Sequence, residues 1–283
     1  QVNCASSFGH GEVDLQKALE VSCNVYFAAL GEWVFNPGAM RDAYHAFGFG
    51  EPTGVRYDDD GTRSGLVDSY RMNSRGPLAE GASTDLINEV VRQFLGNGLA
   101  HVDVNVVQVA RAYAALATGA LPEMRLVRSI GGQRVRAVHR DLGIEPRHIS
   151  TVHEALARVV TKGFGAKSGL TRADLGFSLA AKTGSADYRP GWVPPKDQPR
   201  AERALFREGM RKHTWMAGWF PVEAPRFVIT VYVHDTSATA SHSAAYVARK
   251  FLRTRAVRDL MGLNEDGALG APMEANAPTG EGR

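Results

Sequence analysis

The chain is poor in cysteine, in long apolar runs and in clustered basic and aromatic residues, and each shortage excludes a class of protein. Its two cysteines, Cys4 and Cys23, make neither a disulfide framework nor a metal site by count or spacing. No segment approaches the roughly 18 apolar residues of a membrane span, and no signal peptide is recognisable. A net charge of only +3, without a basic tract interleaved with aromatic residues, argues against nucleic-acid binding.

The rest of the composition is that of an ordinary globular protein, with 44% hydrophobic and 22% charged residues. The first residue is Gln1 rather than methionine, which indicates a processed product or a fragment. Residues 1–263 are predicted to form one partial domain, with a mainly helical lobe over 1–155 and sheet strands and a C-terminal helix over 156–263. Residues 264–283, rich in glycine, alanine, proline and glutamate, are predicted to be disordered.

Helical patterns dominate the first half of the chain. Helices are predicted to begin after Asp14 and at Asn36-Pro37, and others to cover residues 85–95 and 104–118. Residues 125–139 are strand-like on both sides of Gly131-Gly132. Thr151 and Glu154, three residues apart, predict a capping box at the beginning of a further helix.

Strand patterns dominate the second half. An apolar run over residues 176–180 predicts a buried strand that ends at residues 181–185, and a long polar connection over residues 187–212 follows it. Two more strands, Thr214–Phe220 and Arg226–His234, are predicted to form a hairpin. A helix over Ser243–Leu260 is predicted to turn Val247, Phe251 and Leu252 toward a core. Helices, three strands and a covering helix indicate an α+β fold.

The stretch Lys182-Thr183-Gly184-Ser185, at the predicted end of the first strand, carries the clearest chemistry. An ammonium group and two hydroxyls can hold a carboxylate, and Gly184 leaves room for a ligand backbone along the strand. Lys-Thr-Gly is one of the short elements of penicillin-binding proteins and class A β-lactamases. Taken alone, the triplet is explained equally well by a strand that ends in a lysine-threonine turn.

A second element, Ser22-Cys23-Asn24, lies within the segment of residues 9–27. That segment resembles the surroundings of the second catalytic motif of monofunctional (class B) penicillin-binding proteins. Residues 95–117, the Lys182 stretch, residues 213–221 and the hairpin follow in the order of that family, and the polar connection resembles its elongation-type members. The chain departs from the family pattern at Asn105-Val106, Ser241 and Ser243.

The resemblance implies the transpeptidase fold shared by penicillin-binding proteins and serine β-lactamases. It implies an enzyme that cross-links peptidoglycan stem peptides at D-Ala-D-Ala through a serine acyl-enzyme. No cofactor and no metal are expected. The implied partners are stem peptides, β-lactams and cell-wall elongation proteins. The implied location is the outer face of the cytoplasmic membrane of a bacterium, reached through an N-terminal anchor outside this chain.

The same resemblance assigns roles to six residues. Ser22 would relay a proton between the nucleophile and the leaving amine, and Asn24 would hydrogen-bond the substrate amide and the lysine beside the nucleophile. Lys182 would supply positive potential. Thr183 and Ser185 would hold the terminal carboxylate through their hydroxyls, the Ser185 N–H would form half of the oxyanion hole, and Gly184 would admit the substrate backbone.

The family's Ser-x-x-Lys motif is missing, because none of the seven lysines has a serine three residues before it. We therefore expect the nucleophile, and the two strands that begin the family's sheet, to precede Gln1. Residues 1–283 alone are then expected to show no turnover, since loss of a nucleophile costs a factor of about 10⁶ in rate. The strand Arg226–His234 is expected to have an exposed edge where the first strand is missing.

Other interpretations stay open. A non-catalytic penicillin-fold scaffold or β-lactam sensor would share the fold, and its full-length parent would lack a competent nucleophile. A serine β-lactamase would need a deacylating glutamate, whose context is not recognisable. The acidic triplet at residues 58–60 lacks the ligand spacing of a calcium loop. The spacings of His10, His213, His234 and His242 match no metal-ligand pattern, which favours structural or surface roles.

Overall fold

The computed structural model describes residues 4, 8–34, 36–51, 53, 89–99, 104–188, 211–236 and 243–263. Helices and antiparallel strands together form the α+β arrangement that the sequence predicts. The acidic triplet, most of the polar connection, His242 and the predicted tail lie outside the described residues. Among the helices that are described, none combines the length and apolarity needed to cross a bilayer.

The first half is helical. Its elements are α1 (Leu15–Val21), α2 (Asn24–Ala29), a π-helical turn (Leu30–Val34), α3 (Pro37–Ala46), α4 (Glu89–Gly96) and α5 (Val106–Thr118). The predicted cap at Asp14 is confirmed, because its carboxylate accepts a hydrogen bond from the Lys17 N–H at 2.7 Å. Asn36 caps α3 in the same way, and Asn105 with Gln108 forms a capping box on α5. Each cap satisfies a backbone N–H that has no partner within its helix.

Glycines allow α4 to lie directly against α2 and the π-helical turn. A Cβ atom at Gly96 would stand 2.2 Å from the Phe27 carbonyl oxygen, and one at Gly31 would stand 2.4 Å from that of Arg92. Because protein interiors are close-packed, any larger residue at these two positions would force the helices apart. Close backbone approach therefore explains the glycines at this crossing.

Two small antiparallel ribbons follow α5. Strand β1 (Ala120–Pro122) pairs with β4 (His139–Asp141), and β2 (Ser129–Ile130) pairs with β3 (Gln133–Arg134). Gly131 and Gly132 form the turn of the second ribbon with φ values of 55° and 82°. Two consecutive positive φ angles are typical of a tight hairpin turn. The prediction of strand on both sides of this pair is confirmed for two residues on each side, but the strands do not cover the whole of residues 125–139.

The predicted capping box at Thr151 and Glu154 is wrong. Helix α6 (Pro146–Thr161) begins five residues earlier, with a proline in its first turn. Thr151 lies inside the helix, and its hydroxyl donates to the Arg147 carbonyl oxygen one turn back, at 2.9 Å. The short helices α7 (Phe164–Lys167) and α8 (Arg172–Leu175) lead into the sheet. The predicted division of the domain at residue 155 falls inside α6.

The central sheet has the order β5 (Ala180–Tyr188), β6 (Arg211–Phe220) and β7 (Phe227–Thr236), all antiparallel, so the predicted hairpin is confirmed. The expectation that the first strand ends at residues 181–185 is wrong. The strand begins at Ala180 and continues through Tyr188, and Lys182 pairs with Ala217 in its interior. The apolar run before Ala180 contributes Phe177 and Leu179 to the core without joining the ladder.

The predicted helix over Ser243–Leu260 is broken into α9 (Ala244–Leu252) and α10 (Arg255–Leu260). Leu252 is fully buried as expected, but Val247 is 42% exposed and Phe251 is 54% exposed, so their predicted orientation is wrong. The buried side of α9 consists mainly of alanines, and the Ala244 N–H donates to the buried Thr214 hydroxyl of β6 at 2.9 Å. Small side chains therefore set the close approach of α9 to the sheet.

Both faces of the sheet are covered at the end where β5 begins. Ala181, Met216 and Ile229 lie in the core cluster that also contains the buried side of α9 and α10. Ala180 and Trp219 lie on the opposite face and pack against Leu156 of α6. The sheet thus places successive β5 residues alternately toward the C-terminal helices and toward α6.

Within the described residues, β7 pairs with β6 along one edge and with no strand along the other. We therefore expect every second backbone amide of Phe227–Thr236 to exchange with solvent deuterium as fast as the amides of exposed loops, while the amides bonded to β6 stay protected. Amide exchange resolved by NMR would measure this. Uniform protection along the strand would show that its outer edge is covered.

Candidate functional site

The candidate site lies where β5 faces α6. Lys182 follows Ala180 by two residues, so its side chain lies on the same face of the sheet as the contact with Leu156. The ammonium nitrogen Nζ donates hydrogen bonds to the Ser22 hydroxyl oxygen at 2.9 Å and to the Thr183 carbonyl oxygen at 2.8 Å. Burial of the side chain lowers the pKa of Lys182 to about 8. The structure therefore joins two predicted site residues that are 160 positions apart in the chain.

Ser22 terminates α1 in a conformation that normally selects glycine. Its φ and ψ angles are 54° and 56°, in the left-handed region. The Ser22 N–H donates to the Leu19 carbonyl oxygen at 3.3 Å and the Cys23 N–H donates to that of Ala18 at 2.9 Å. This pair of bonds is the Schellman motif, in which the left-handed residue is usually glycine. The serine accepts backbone strain in a position from which its hydroxyl reaches Lys182.

Helix α1 reaches this position by packing on α6. A Cβ atom at Gly163, just after α6, would stand 2.3 Å from the carbonyl oxygen of Glu20, so only glycine permits the approach. The Gln16 amide donates to the Glu154 carboxylate at 3.1 Å. Lys17 forms an ion pair at 2.6 Å with the buried Glu20 side chain. Because α6 also packs on β5, these contacts fix the distance between the end of α1 and Lys182.

The other predicted site residues occupy three distinct places. Asn24 is the partly buried first residue of α2, two positions after Ser22. Gly184 shares the face of Lys182 and is exposed. Thr183 and Ser185 lie on the opposite face, the first partly buried and the second exposed. The cation and the two hydroxyls therefore meet only along the edge of β5, which is a more extended arrangement than a single cluster around a carboxylate.

The edge of β5 is suited to an extended ligand. Within the described residues, β6 pairs with one edge of β5 and no strand pairs with the other. The nearest contact of a Cβ atom built at Gly184 would be the Trp215 Cβ at 3.6 Å, an ordinary van der Waals distance. The packing of the protein itself therefore does not require glycine here. A peptide backbone can add to such an edge as a further strand.

An aromatic cluster continues the same face of the sheet beyond Gly184. The rings of Trp215 and Tyr232 lie 4.5 Å apart, and those of His213 and His234 stack at 4.7 Å. The Tyr232 hydroxyl lies 2.9 Å from Nδ1 of His213 and 3.0 Å from Nδ1 of His234. A hydroxyl has one proton, so one of these two imidazoles must donate to it. Partial burial raises the pKa of Tyr232.

The two cysteines and His10 form a cluster that the sequence reasoning missed. The ligand atoms of Cys4, His10 and Cys23 all lie within 4.8 Å of one another, and the Cys4 sulfur lies 3.1 Å from His10 Nδ1. Two thiols and an imidazole are donors that bind Zn²⁺, so the fold brings together a candidate set of three ligands, and the expectation that these cysteines make no metal site stays a prediction. Their spacing in sequence gave no sign of it.

Comparisons with known proteins identify the family and the fold of the chain. The family model for the penicillin binding protein transpeptidase domain matches residues 3–253. A curated relative, the peptidoglycan D,D-transpeptidase MrdA of Haemophilus influenzae, is 26% identical over 255 residues, which are 86% of this chain and 36% of the relative. The chain thus spans about a third of the length of that relative.

Solved structures show the same fold. The penicillin-binding protein PBP2 of Pseudomonas aeruginosa, in complex with WCK 5153, superposes with a TM-score of 0.64 at 23% identity, over 95% of this chain and 53% of that one. The PBP2 of Helicobacter pylori, in its complex with MreC, gives a TM-score of 0.65 at 17% identity, over 92% and 42%. With a family model that matches nearly its whole length, the chain belongs to the penicillin-binding-protein transpeptidase domain family.

Proposed function

We propose that the chain is part of a peptidoglycan D,D-transpeptidase that forms a serine acyl-enzyme with the D-Ala-D-Ala end of a stem peptide. The observation that carries the proposal is the hydrogen bond of 2.9 Å from Lys182 Nζ to the Ser22 hydroxyl oxygen. The curated relative with the activity named peptidoglycan D,D-transpeptidase supports it.

The direction of this hydrogen bond gives Ser22 its role. An ammonium group can only donate, so the Ser22 oxygen accepts from Lys182 and its own proton is available for another acceptor. That proton can pass to the amine that leaves when the terminal peptide bond breaks, while the Ser22 oxygen takes in its place the proton that the nucleophile gives up. In the second half of the reaction the transfer reverses: the Ser22 oxygen takes a proton from the attacking amine, and its own proton returns to the oxygen of the departing nucleophile. Ser22 is thus the proposed proton relay.

The edge of β5 is the proposed binding place of the substrate's carboxyl end. With a pKa of about 8, Lys182 is mostly charged at neutral pH and attracts the terminal carboxylate. The hydroxyls of Thr183 and Ser185 donate to that carboxylate, and the Ser185 N–H donates to the developing oxyanion. Gly184 lets the substrate backbone lie against the strand. Asn24 is proposed to hydrogen-bond the substrate amide and the lysine beside the nucleophile.

The nucleophile is proposed to come from outside these 283 residues, because the chain contains no Ser-x-x-Lys. The proposed ligands are stem peptides and β-lactams, and the proposed location is the outer face of the cytoplasmic membrane. One neighbour is described in complex with MreC, which supports a cell-wall elongation protein as a partner.

Labelled penicillin tests the proposed reaction. We expect residues 1–283 to form no covalent adduct, and a longer form of the protein that includes a Ser-x-x-Lys segment to be acylated at that serine. Gel fluorescence and mass spectrometry of the labelled peptide would locate the adduct. If the longer form carries the motif and is not labelled, the chain is a non-catalytic homologue.

Two substitutions of Ser22 should distinguish the effect of its backbone strain on stability from the effect of its hydroxyl on the acylation rate. Both Ser22→Ala and Ser22→Gly remove the relay, so each should lower the acylation rate of the longer form by about 10²–10⁴. Glycine alone relieves the left-handed backbone, so Ser22→Gly should be about 1 kcal/mol more stable than Ser22→Ala. Denaturant unfolding measures the difference. Equal stabilities would contradict the strain, and full activity in both variants would contradict the relay.

Substitutions of Gly218 and Gly184 form a matched pair that tests whether a ligand lies along the edge of β5. Gly218→Ala should lower the free energy of unfolding by about 1–3 kcal/mol, because its Cβ atom would stand 2.3 Å from the Ala180 carbonyl oxygen. Gly184→Ala should change stability by less than about 0.5 kcal/mol, since it meets only Trp215 at 3.6 Å. Its methyl group should nevertheless reduce acylation of the longer form at least tenfold, by about 1.4 kcal/mol or more of lost binding. Unchanged acylation would mean that no ligand lies against this strand.

A further inference from the structure

A short segment between β1 and β4, here called the arm (residues 125–138), projects from the body of the protein. Every residue from Arg125 to Arg140 is exposed except Val135, which is partly buried. The main packing contact of β2 is with β3, inside the arm itself. The arm lies outside the proposed catalytic site, and none of the roles proposed above uses it.

The arm holds its own shape. The Val135 N–H donates to the Arg128 carbonyl oxygen at 3.0 Å, which extends the β2–β3 pairing by one residue pair. The Arg125 guanidinium donates to the Val135 carbonyl oxygen across the base of the ribbon. The Gly131-Gly132 turn closes the tip. The arm therefore presents its side chains on a defined ribbon.

The arginines and carboxylates in and next to the arm are unevenly distributed, because the charged side chains between Glu123 and Asp141 are all arginines. Five arginines and no acidic residue lie between Glu123 and Asp141. Arg140 is paired with Glu51 at 2.9 Å. Arg128, Arg134 and Arg136 are exposed and form no ion pair with the described part of the chain. Three guanidinium groups are thus available to an anionic partner.

Large apolar side chains stand among these arginines. Leu126 and Ile130 are each 71% exposed, and Val127 and Val138 are 50% and 53% exposed. Ile130 directly precedes the turn, and Arg128 lies two residues before it on the same face of the ribbon. An apolar tip flanked by arginines is suited to contact a surface on which apolar groups lie beside anionic groups.

We propose that the arm docks on a bilayer that contains anionic phospholipid, with Ile130 and Leu126 among the lipids and Arg128, Arg134 and Arg136 on the phosphates. Charge complementarity selects this occupant, because the outward-facing ionic groups of the arm are all cationic. An arm of 14 residues is smaller than the roughly 20–30 residues that each side of a stable protein–protein interface contributes. A membrane needs only a few apolar side chains and nearby basic charges.

Vesicle sedimentation tests the proposal with the chain as it stands. We expect binding to vesicles of phosphatidylglycerol and phosphatidylcholine in equal parts, and weak binding to phosphatidylcholine alone. Arg128→Glu with Arg134→Glu should weaken binding to the anionic vesicles at least about thirtyfold. Ile130→Ser should weaken it about tenfold. Because these side chains are exposed, the melting temperature should stay unchanged.

The matched control makes the same change of charge at two arginines outside the arm. Arg253→Glu with Arg255→Glu alters two exposed arginines at the beginning of α10 and should leave vesicle binding within about twofold of the parent chain. An equal loss in this control would show attraction by net charge and overturn the proposal. Absent or lipid-independent binding would also overturn it, and binding of an acidic protein in place of vesicles would assign the arm to a protein partner. The vesicle test is independent of the penicillin test, so none of these outcomes bears on the proposed transpeptidase function.

Discussion

The contact between the Lys182 ammonium and the Ser22 hydroxyl is the constraint on which the site depends. It closes the chain over 160 positions and joins the end of a helix to the interior of a strand. Burial lowers the pKa of Lys182 to about 8, and two oxygen acceptors hold the charged form in place. A hydrogen bond to a charged group is stronger than one between neutral groups, but it is lost with small changes in distance. The distance between Lys182 and Ser22 therefore depends on how α6 packs against α1 on one side and β5 on the other.

Small residues set the spacing of these helices and strands. Gly163 lets α6 meet the backbone of Glu20 at the end of α1, and Gly218 lets β6 meet the backbone of β5 at Ala180. At both places a single methyl group would approach a carbonyl oxygen to 2.3 Å. Close-packed interiors pass such a displacement on to their neighbours. A substitution far from the reacting atoms can thus separate Lys182 from Ser22.

Most of the local sequence signals predicted the local structure correctly, and the capping box at Thr151 and Glu154 is the exception. The caps at Asp14 and Asn36 and the Gly131-Gly132 turn depend on neighbours in sequence, and the structure confirms them. The start of β5 and the buried face of α9 depend on partners far along the chain, and these predictions were wrong. The cluster of Cys4, His10 and Cys23 was invisible for the same reason. For the candidate site, the sequence motifs predicted Lys182 and Ser22, and only the fold could show the hydrogen bond between them.

The alternation of β5 limits how any ligand can use this site. Lys182 and Gly184 face α6, whereas Thr183 and Ser185 face the side of the C-terminal helices, so no ligand on one face reaches all four. The edge of the strand is the one place that gives access to both faces and to the backbone N–H groups as well. A ligand that uses the ammonium and both hydroxyls must therefore run along that edge in an extended conformation. A peptide with a terminal carboxylate satisfies this requirement, because its own backbone bonds the edge while its end remains free to meet the charge.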